Sequence, residues 1–434
     1  MFKKNKRTRI NLKNKILRLI IVITAATVLL QYIFPIQVCA QEQRILNMKN
    51  NVGRNENPDS TTSKENTNNV QITEEIIKEQ LESAEIKALK DHLNEFITSD
   101  TGELLEKYTS DRIINDAIKG NLNLNIINIF NKITNFFIQE IYVNIHILLE
   151  LIALIIICAV LNNIQNSFAK EGVAEIAFFV CYIILVSVLI IGFKEASALG
   201  LKAIDQMTGF MKATIPIIIS LLISSGSITS GNVLRPLFII IVEITALIIK
   251  NIFIPLIFLS VALSIINNIS DRFNLDKLAA LAKKTGVVII GTLMTVFIGI
   301  LTIQGPIAAV ADGVANKTLK FALGTFIPVV GSYLADAADT VIGCTLLIKN
   351  AAGIAVVIGV ISICIIPLLK ITALVLLYKI TCAITEPISE KRVTACISDI
   401  ANSMACILGA VAVVTLMFII SVTMIISASK WGQA

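Results

Sequence analysis

Two carboxylates inside long apolar runs are the residues whose type and position first suggest chemistry. Glu150 lies in "HILLELIALIIICAVL" and Glu243 lies in "FIIIVEITALII". A charge at the centre of a bilayer costs at least about 2.5 to 3.5 kcal/mol, so each side chain must face protein or water, or be protonated. Two interpretations stay open: a polar pathway through a helical bundle, or hydrogen bonds to Ser, Thr or Asn that fix the packing of neighbouring helices.

A second group of candidate residues lies in "TLKFALGTFIPVVGSYLADAADTV", residues 318–341. Three helix breakers, Gly324, Pro328 and Gly331, interrupt an apolar segment that is too short to span a bilayer comfortably. Asp336 and Asp339 follow at helical spacing and form a polar face with nearby Ser and Thr residues. The pattern is typical of a discontinuous or re-entrant helix that lines a wet cavity, or of an amphipathic surface helix after a turn.

The chain carries none of the sequence motifs that would indicate an enzyme or a cofactor site. It has no GxxxxGK[ST], HExxH or GxSxG motif, and no CxxC among its eight Cys residues. Its two histidines, His92 and His146, have no Cys, Asp or His partner at metal-ligand spacing. We therefore expect no catalytic residues, no metal and no cofactor, and an intramembrane hydrolase lacks the necessary side chains.

Composition places the chain among integral membrane proteins. Its 434 residues are 55% hydrophobic and 16% charged, with a mean hydropathy of +0.79. Eight of the 37 Lys and Arg residues fall within residues 1–18, so the rest of the chain has 29 basic against 31 acidic residues and a net charge of about −2. The basic character belongs to a targeting segment, and no nucleic-acid partner is expected.

The chain divides into four regions by composition. Residues 1–40 have the basic start, the apolar run and the small residues of a signal peptide, with an uncleaved first membrane helix as the alternative. Residues 41–70 are polar and form a flexible tether. Residues 71–141 have helical periodicity and form a small extracytoplasmic helical region. Residues 142–434 form a polytopic transmembrane domain.

The transmembrane domain is predicted to be all-α, with about seven to nine spans, some of them broken or re-entrant. Basic residues are retained in the cytoplasm, so the loop "SDRFNLDKLAALAKK" is assigned to that side and the N-terminal region to the other. The apolar windows lie near 143–164, 174–193, 211–226, 236–249, 252–268, 285–304, 351–369, 371–385 and 404–428.

A long and unusual stretch gives the chain a family resemblance. Residues Met294 to Gly353, "MTVFIGILTIQGPIAAVADGVANKTLKFALGTFIPVVGSYLADAADTVIGCTLLIKNAAG", closely resemble the stage III sporulation protein AE family of endospore-forming bacteria. The similarity continues through "IFIPLIFLSVALSIINNISDRFNLDKLAALAK" and "IIPLLKITALVLLYKI", and so covers most of the chain after about Tyr142.

The resemblance implies a function that the residues alone do not. Members of the family lie in the mother-cell membrane around the engulfed forespore, within a complex that resembles a secretion system. The implied partners are other stage III sporulation membrane proteins, a forespore membrane protein across the intermembrane space, and an operon-encoded secretion-type ATPase. The family has no established catalytic residues to transfer.

The sequence and the family resemblance therefore lead to two alternative predictions of function. The first is a channel or export-gate component that works only inside the sporulation complex and supports late forespore development and gene expression. The second is a self-sufficient secondary transporter that uses Glu150, Glu243 or Asp336 as a proton or cation site. Dependence on partners distinguishes them, because a transporter moves its solute alone.

Overall fold

The computed structural model describes residues 75–98, 110–119, 126–167, 171–269, 275–326 and 331–428. The predicted signal peptide and tether, residues 1–40 and 41–70, lie outside this part of the chain. The described residues are almost entirely helical and include no strand, which confirms the all-α prediction. Nearly all of them belong to one compact unit.

Long helices make up the fold. A helical stretch of residues 75–81 comes first. The helices that follow are α1 (Ala84–Thr98), α2 (Ser110–Ile118), α3 (Ile126–Ser167), α4 (Glu171–Ser224), α5 (Ile228–Ile248), a π-helical turn (Ile249–Phe253), α6 (Ile254–Ile269), α7 (Asp276–Phe326), α8 (Gly331–Thr385) and α9 (Lys391–Ala428).

Within the described residues, six helices are long and apolar enough to cross a membrane. They are α3, α4, the continuous α5 to α6 segment, α7, α8 and α9. The nine sequence windows map onto these six because neighbouring windows fall in single helices. The chain is therefore a polytopic helical membrane protein, as its composition predicts.

Helix α4 shows why two windows merge. The windows 174–193 and 211–226 are joined by a segment with several charges, which the sequence analysis treats as a loop. This segment is rich in Ala, Leu, Lys and Met, which favour helix, and it has an apolar face buried in the bundle. The buried residues of that face include Ala196, Ala203, Met207 and Phe210. The helix therefore continues without interruption for 54 residues.

A π-helical turn at Ile249–Phe253 joins α5 to α6, between the sequence windows 236–249 and 252–268. Pro255 follows this turn, and its ring excludes the carbonyl of Asn251 and offers no N–H of its own. A wider turn accommodates such a residue without ending the helix, and π turns are frequent at functional sites. The helix therefore continues through Lys250 into α6 without a break.

Helix α4 packs against α3, α5, α8 and α9 and runs antiparallel to α8. A Cβ added at Gly192 would overlap the ring of Tyr378, and one added at Gly359 would overlap Phe210. Glycine at these positions lets the two helices approach closely. The Tyr378 hydroxyl donates a hydrogen bond to the carbonyl oxygen of Leu189, 3.3 Å away.

Two charged side chains bind helix ends. The buried carboxylate of Asp312, on α7, accepts hydrogen bonds from the backbone N–H groups of Thr229 at 2.6 Å and Ser230 at 2.9 Å, at the start of α5. The buried ammonium of Lys349, on α8, donates to the carbonyl oxygen of Ile426, in the last turn of α9. Both contacts place a charge where the helix dipole favours it.

The N-terminal helices pack directly against the membrane helices. The apolar face of α1 includes Leu89 and Leu93, both fully buried, and the ring of Phe96 packs edge-on against Phe210 of α4, with centroids 5.4 Å apart. An ion pair of 2.7 Å between Lys90 and Asp111 joins α1 to α2. The predicted extracytoplasmic position of region 71–141 stays a prediction.

Candidate functional site

Two ion pairs connect α4 to the next helix along the chain. Lys212 of α4 pairs with Glu243 of α5, and Asp205 of α4 pairs with Lys250 in the π-helical turn. The residues are seven positions apart on each helix, which brings them to the same side two turns apart. Because α4 and α5 form an antiparallel hairpin, opposite charges meet at both levels.

These four side chains lie on the outside of the bundle. Their exposed fractions are 46% for Lys212 and Glu243, 49% for Asp205 and 39% for Lys250. Gly209 is exposed on the same side of α4, between the two pairs. We call Asp205, Gly209, Lys212, Glu243 and Lys250 the charged face.

The charged face lies at the depth of an apolar span. A groove of about 400 Å³ between α5 and α7 is lined by Thr245 and Ile248 on one side and by Thr292 and Val296 on the other. These α7 residues belong to the uncharged run 285–304, the part of α7 suited to cross the hydrocarbon. The charged face is therefore level with the middle of that span.

The two sides of the bundle differ in polarity at this depth. The outer surface of α7 exposes apolar residues such as Val288 and Val296, 55% exposed in each case. Successive residues of a helix are rotated by about 100°. Glu243 and Lys250 therefore lie on the side of the helix opposite the residues that line the groove between α5 and α7. The boundary between the apolar and charged surfaces therefore follows the seam between α4 and α5.

Helix α1 extends the polar surface on the other side of α4. Its apolar face is covered by α4 and α8, and its outer residues are charged and exposed. Leu93 reaches Gly359, within the uncharged run 350–369 of α8, so this part of α1 is also at span depth. Its exposed charged residues are Glu85, Lys87, Asp91 and Glu95.

Charges at this depth limit what can cover the charged face. Lipid tails do not, because a lipid-facing charge in a span costs several kcal/mol. The surface therefore faces water or another protein. Each of the two carboxylates is already paired with a lysine, so the four residues form a neutral set that suits a hydrophilic wall better than a cation-binding site.

The structure separates the predicted site residues into three places. Glu243 lies on the charged face. Glu150 is exposed on α3, near Tyr378, whose hydroxyl donates a hydrogen bond to the carbonyl oxygen of Leu189 of α4. Leu189 and Lys212 are about 35 Å apart along α4, so Glu150 and Glu243 do not form one site.

The remaining predicted residues belong to the connection between α7 and α8. Gly324 lies in the last turn of α7 and Gly331 begins α8, whereas Pro328 lies outside the described residues. Asp336 and Asp339 both lie in the first turns of α8, and Asp339 is exposed. This group is distant from the charged face, and its predicted role as a gate stays a prediction.

Four members of the charged face, and also Asp312 and Lys349, were not predicted as site residues from the sequence. A signal for the first group exists: Asp205 and Lys212 repeat the order of charges of Glu243 and Lys250 at the same spacing. Within the described residues, no group of His, Cys, Asp or Glu could hold a metal ion.

Comparison with known proteins identifies the family. No solved structure matches the chain. The chain is 32% identical over 360 residues to the stage III sporulation protein AE of Bacillus subtilis (strain 168). The aligned residues cover 83% of this chain and 90% of that protein. The family model for stage III sporulation protein AE matches residues 108–429. The chain therefore belongs to the stage III sporulation protein AE family.

Proposed function

We propose that this sporulation membrane protein is a component of the channel or secretion-like complex between mother cell and forespore, and that its charged face lines the aqueous conduit. The observation that carries this proposal is the polarity of the bundle at a single depth. One side of the bundle exposes apolar residues, and the other side exposes ion-paired charges. A wall between lipid and a water-filled lumen requires this arrangement.

In this proposal, the other proteins of the complex supply the energy source and the connection to the forespore membrane. Its family resemblance implies other stage III sporulation membrane proteins, a forespore membrane partner and a secretion-type ATPase as partners, in the mother-cell membrane around the forespore. We propose that the chain is not itself an enzyme and works through these partners. Its N-terminal region, including α1 beside the charged face, would then be reached from the side of the membrane opposite the mother-cell cytoplasm.

A self-sufficient transporter is the competing function. Such a protein needs a carboxylate that exchanges a proton or cation during transport. On the charged face, both Asp205 and Glu243 are held by lysine, which favours a fixed polar wall. Solute uptake by the purified protein alone in liposomes would favour the transporter.

The test replaces one neutral pair without changing the net charge. In the double variant Asp205→Leu and Lys250→Met, the side chains stay similar in size but the outer surface becomes apolar. We expect normal accumulation in the membrane and loss of late forespore gene expression. The matched control, Asp205→Lys with Lys250→Asp, keeps the charges and is expected to keep function. Normal sporulation by the apolar double variant would overturn the proposal.

A further inference from the structure

The groove between α5 and α7 has a buried floor and an exposed rim. Its floor is formed by Thr245 of α5, Phe297 of α7 and Met417 of α9, which are all buried. Its rim includes Ile244 of α5 and Val296 of α7, which are 48% and 55% exposed. The groove of about 400 Å³ is therefore closed behind by three helices and open on the outer surface of the bundle.

The lining of the groove is almost entirely apolar. Only Thr245 and Thr292 contribute a polar group, one hydroxyl each, and every other lining residue is aliphatic, Phe or Met. A polar ligand in this lining would lose its hydrogen bonds to water and gain few in return. The groove therefore suits a hydrocarbon chain.

The groove lies within the part of α7 that is suited to cross the hydrocarbon. It extends along that helix from Val288 to Ile300, about 12 residues or roughly 18 Å. Both ends fall inside the uncharged run 285–304, whose length matches the thickness of the hydrocarbon core. At this depth an exposed apolar surface is surrounded by the acyl chains of lipids.

The apolar lining by itself would not select one lipid over another. Lipid tails are as apolar as leucine, so an acyl chain gains no hydrophobic free energy when it leaves the surrounding lipid for an apolar groove. A preference for one class of lipid must therefore come from the headgroup. The charges at the ends of the groove decide which headgroup that is.

Two lysines precede the groove on α7. Lys284 comes one turn before Val288, in a row of residues spaced by four that continues through Thr292 and Val296 along the groove. Lys277 lies two turns before Lys284 on the same side of the helix. Both lysines are exposed, and neither forms an ion pair or a hydrogen bond with any residue that the structure describes.

The other charged groups at this end of α7 have partners in neighbouring helices. Lys283 donates a hydrogen bond to the backbone carbonyl oxygen of Asp399 of α9, 3.4 Å away. The Asp399 carboxylate accepts a hydrogen bond from the hydroxyl group of Ser264 of α6. Asp276 accepts one of 2.6 Å from the side-chain amide of Asn267. With three lysines and two carboxylates, this group of described residues is net positive.

The position of Lys284 matches that of a phospholipid headgroup. It comes directly before the uncharged run and so lies at the boundary between the hydrocarbon and the headgroups. One leaflet is about 15 Å deep, half of the hydrocarbon core, which corresponds to about ten residues of a helix. An acyl chain that starts level with Lys284 therefore passes Val288 and ends near Leu293, about halfway along the groove.

We propose that this groove binds an acyl chain of an anionic phospholipid, whose phosphate group contacts Lys284 while Lys277 adds positive charge beside the headgroup. The lipid belongs to the leaflet on the side of the α6–α7 loop, which the sequence predicts to be cytoplasmic. The inference requires α7 to face lipid but does not require the charged face to contact water. It can therefore fail without failure of the proposed conduit.

Photocrosslinking with two lipids tests the site in the purified full-length protein. The vesicles consist of phosphatidylcholine with a trace of either phosphatidylglycerol or phosphatidylcholine that carries a diazirine on its acyl chain, and mass spectrometry locates the adducts. Phosphatidylglycerol is expected to label Phe297 and Met417 about fivefold more than phosphatidylcholine does, the preference that one lysine gives an anionic lipid. Ile298, exposed on the opposite side of α7, should be labelled equally by both.

Variants separate the headgroup contact from the groove. Lys284→Gln is expected to remove most of the preference for phosphatidylglycerol, whereas Lys379→Gln, which neutralises an exposed lysine of α8, is the matched control and should keep it. Thr292→Trp places an indole ring in the groove and should abolish labelling of Phe297 by both lipids, with an unchanged unfolding temperature.

Three results would overturn the proposal. The first is equal labelling of Phe297 by the two lipids, or a preference that Lys284→Gln leaves unchanged. The second is labelling of Ile298 without labelling of Phe297, which would show that no acyl chain enters the groove. The third is loss of Phe297 labelling in membranes of sporulating cells, which would show that another protein covers the groove.

Discussion

The ammonium group of Lys349 donates a hydrogen bond to the carbonyl oxygen of Ile426, 3.0 Å away, although its side chain is completely buried. Ile426 lies in the last turn of α9, where backbone carbonyls have no partner within the helix. A lysine at this position satisfies one of them and complements the negative end of the helix dipole. The contact fixes the end of α9 against α8.

Replacement of this lysine is expected to loosen the end of α9. In Lys349→Met the carbonyl loses its donor, a loss of about 1 to 3 kcal/mol, so amide exchange in residues 420–428 should accelerate roughly 5- to 150-fold. Hydrogen exchange with mass spectrometry measures this directly. Lys370→Met, which changes a partly exposed lysine of the same helix, is the control. Unchanged exchange in the last turns of α9 would show that Lys349 does not hold them.

Asp312 is expected to act as a remote N-cap of α5. The helix has no side-chain cap of its own at Ser227, and the Asp312 carboxylate binds two of its first backbone N–H groups. We expect Asp312→Ala to lower the free energy of unfolding by about 0.5 to 2 kcal/mol. Asp312→Asn keeps one acceptor oxygen and should lose less. Thermal unfolding of the purified protein ranks the three forms, and equal losses for Ala and Asn would argue against capping.

Two glycines on membrane helices provide a matched test of close packing. A Cβ at Gly192 would overlap the hydroxyl group of Tyr378, which is completely buried, whereas a Cβ at Gly299 would meet no atom within 4 Å. Gly192→Ala is therefore expected to destabilise the bundle. Gly299→Ala should be neutral or stabilising by up to about 1 kcal/mol, because alanine favours helix. Similar unfolding temperatures for the two variants would refute the close approach of α4 and α8.

The sequence predicted the fold class because the apolar runs are long and almost free of charge. It did not predict that α4 is continuous, because the charges of residues 194–212 resemble those of a loop. Ala203 and Phe210 in that segment are buried because distant helices cover them; Phe210, for example, contacts Phe96 of α1 and Gly359 of α8. Packing against helices that are distant in the sequence therefore determines that α4 is continuous.

The candidate site was predicted only in part for a related reason. Glu243 stands out as a charge in an apolar run, but its partner Lys212 lies in the segment that resembles a loop. The contact of Asp312 with Thr229 joins residues 83 positions apart and has no local signal in the sequence. Single charges can be recognised along the chain, whereas their pairing depends on the register between helices.

Water on the charged side of the bundle and lipid on the apolar side can be distinguished by comparing two exposed residues. Gly209 and Val296 are both exposed and lie at the same depth, on the charged and the apolar side. Neither belongs to an ion pair, so a cysteine at either position leaves the charged pairs intact. The measurement is labelling of Gly209→Cys and Val296→Cys by a membrane-impermeant thiol reagent in sporulating cells, in protein without other cysteines.

We expect Gly209→Cys to be labelled and Val296→Cys not to be, because water reaches the charged face and lipid covers α7. Labelling at both positions would place this depth of the bundle outside the membrane. The absence of labelling at Gly209→Cys would show that no water-filled conduit passes the charged face. Either result would show that the charged face does not line an aqueous conduit within the membrane.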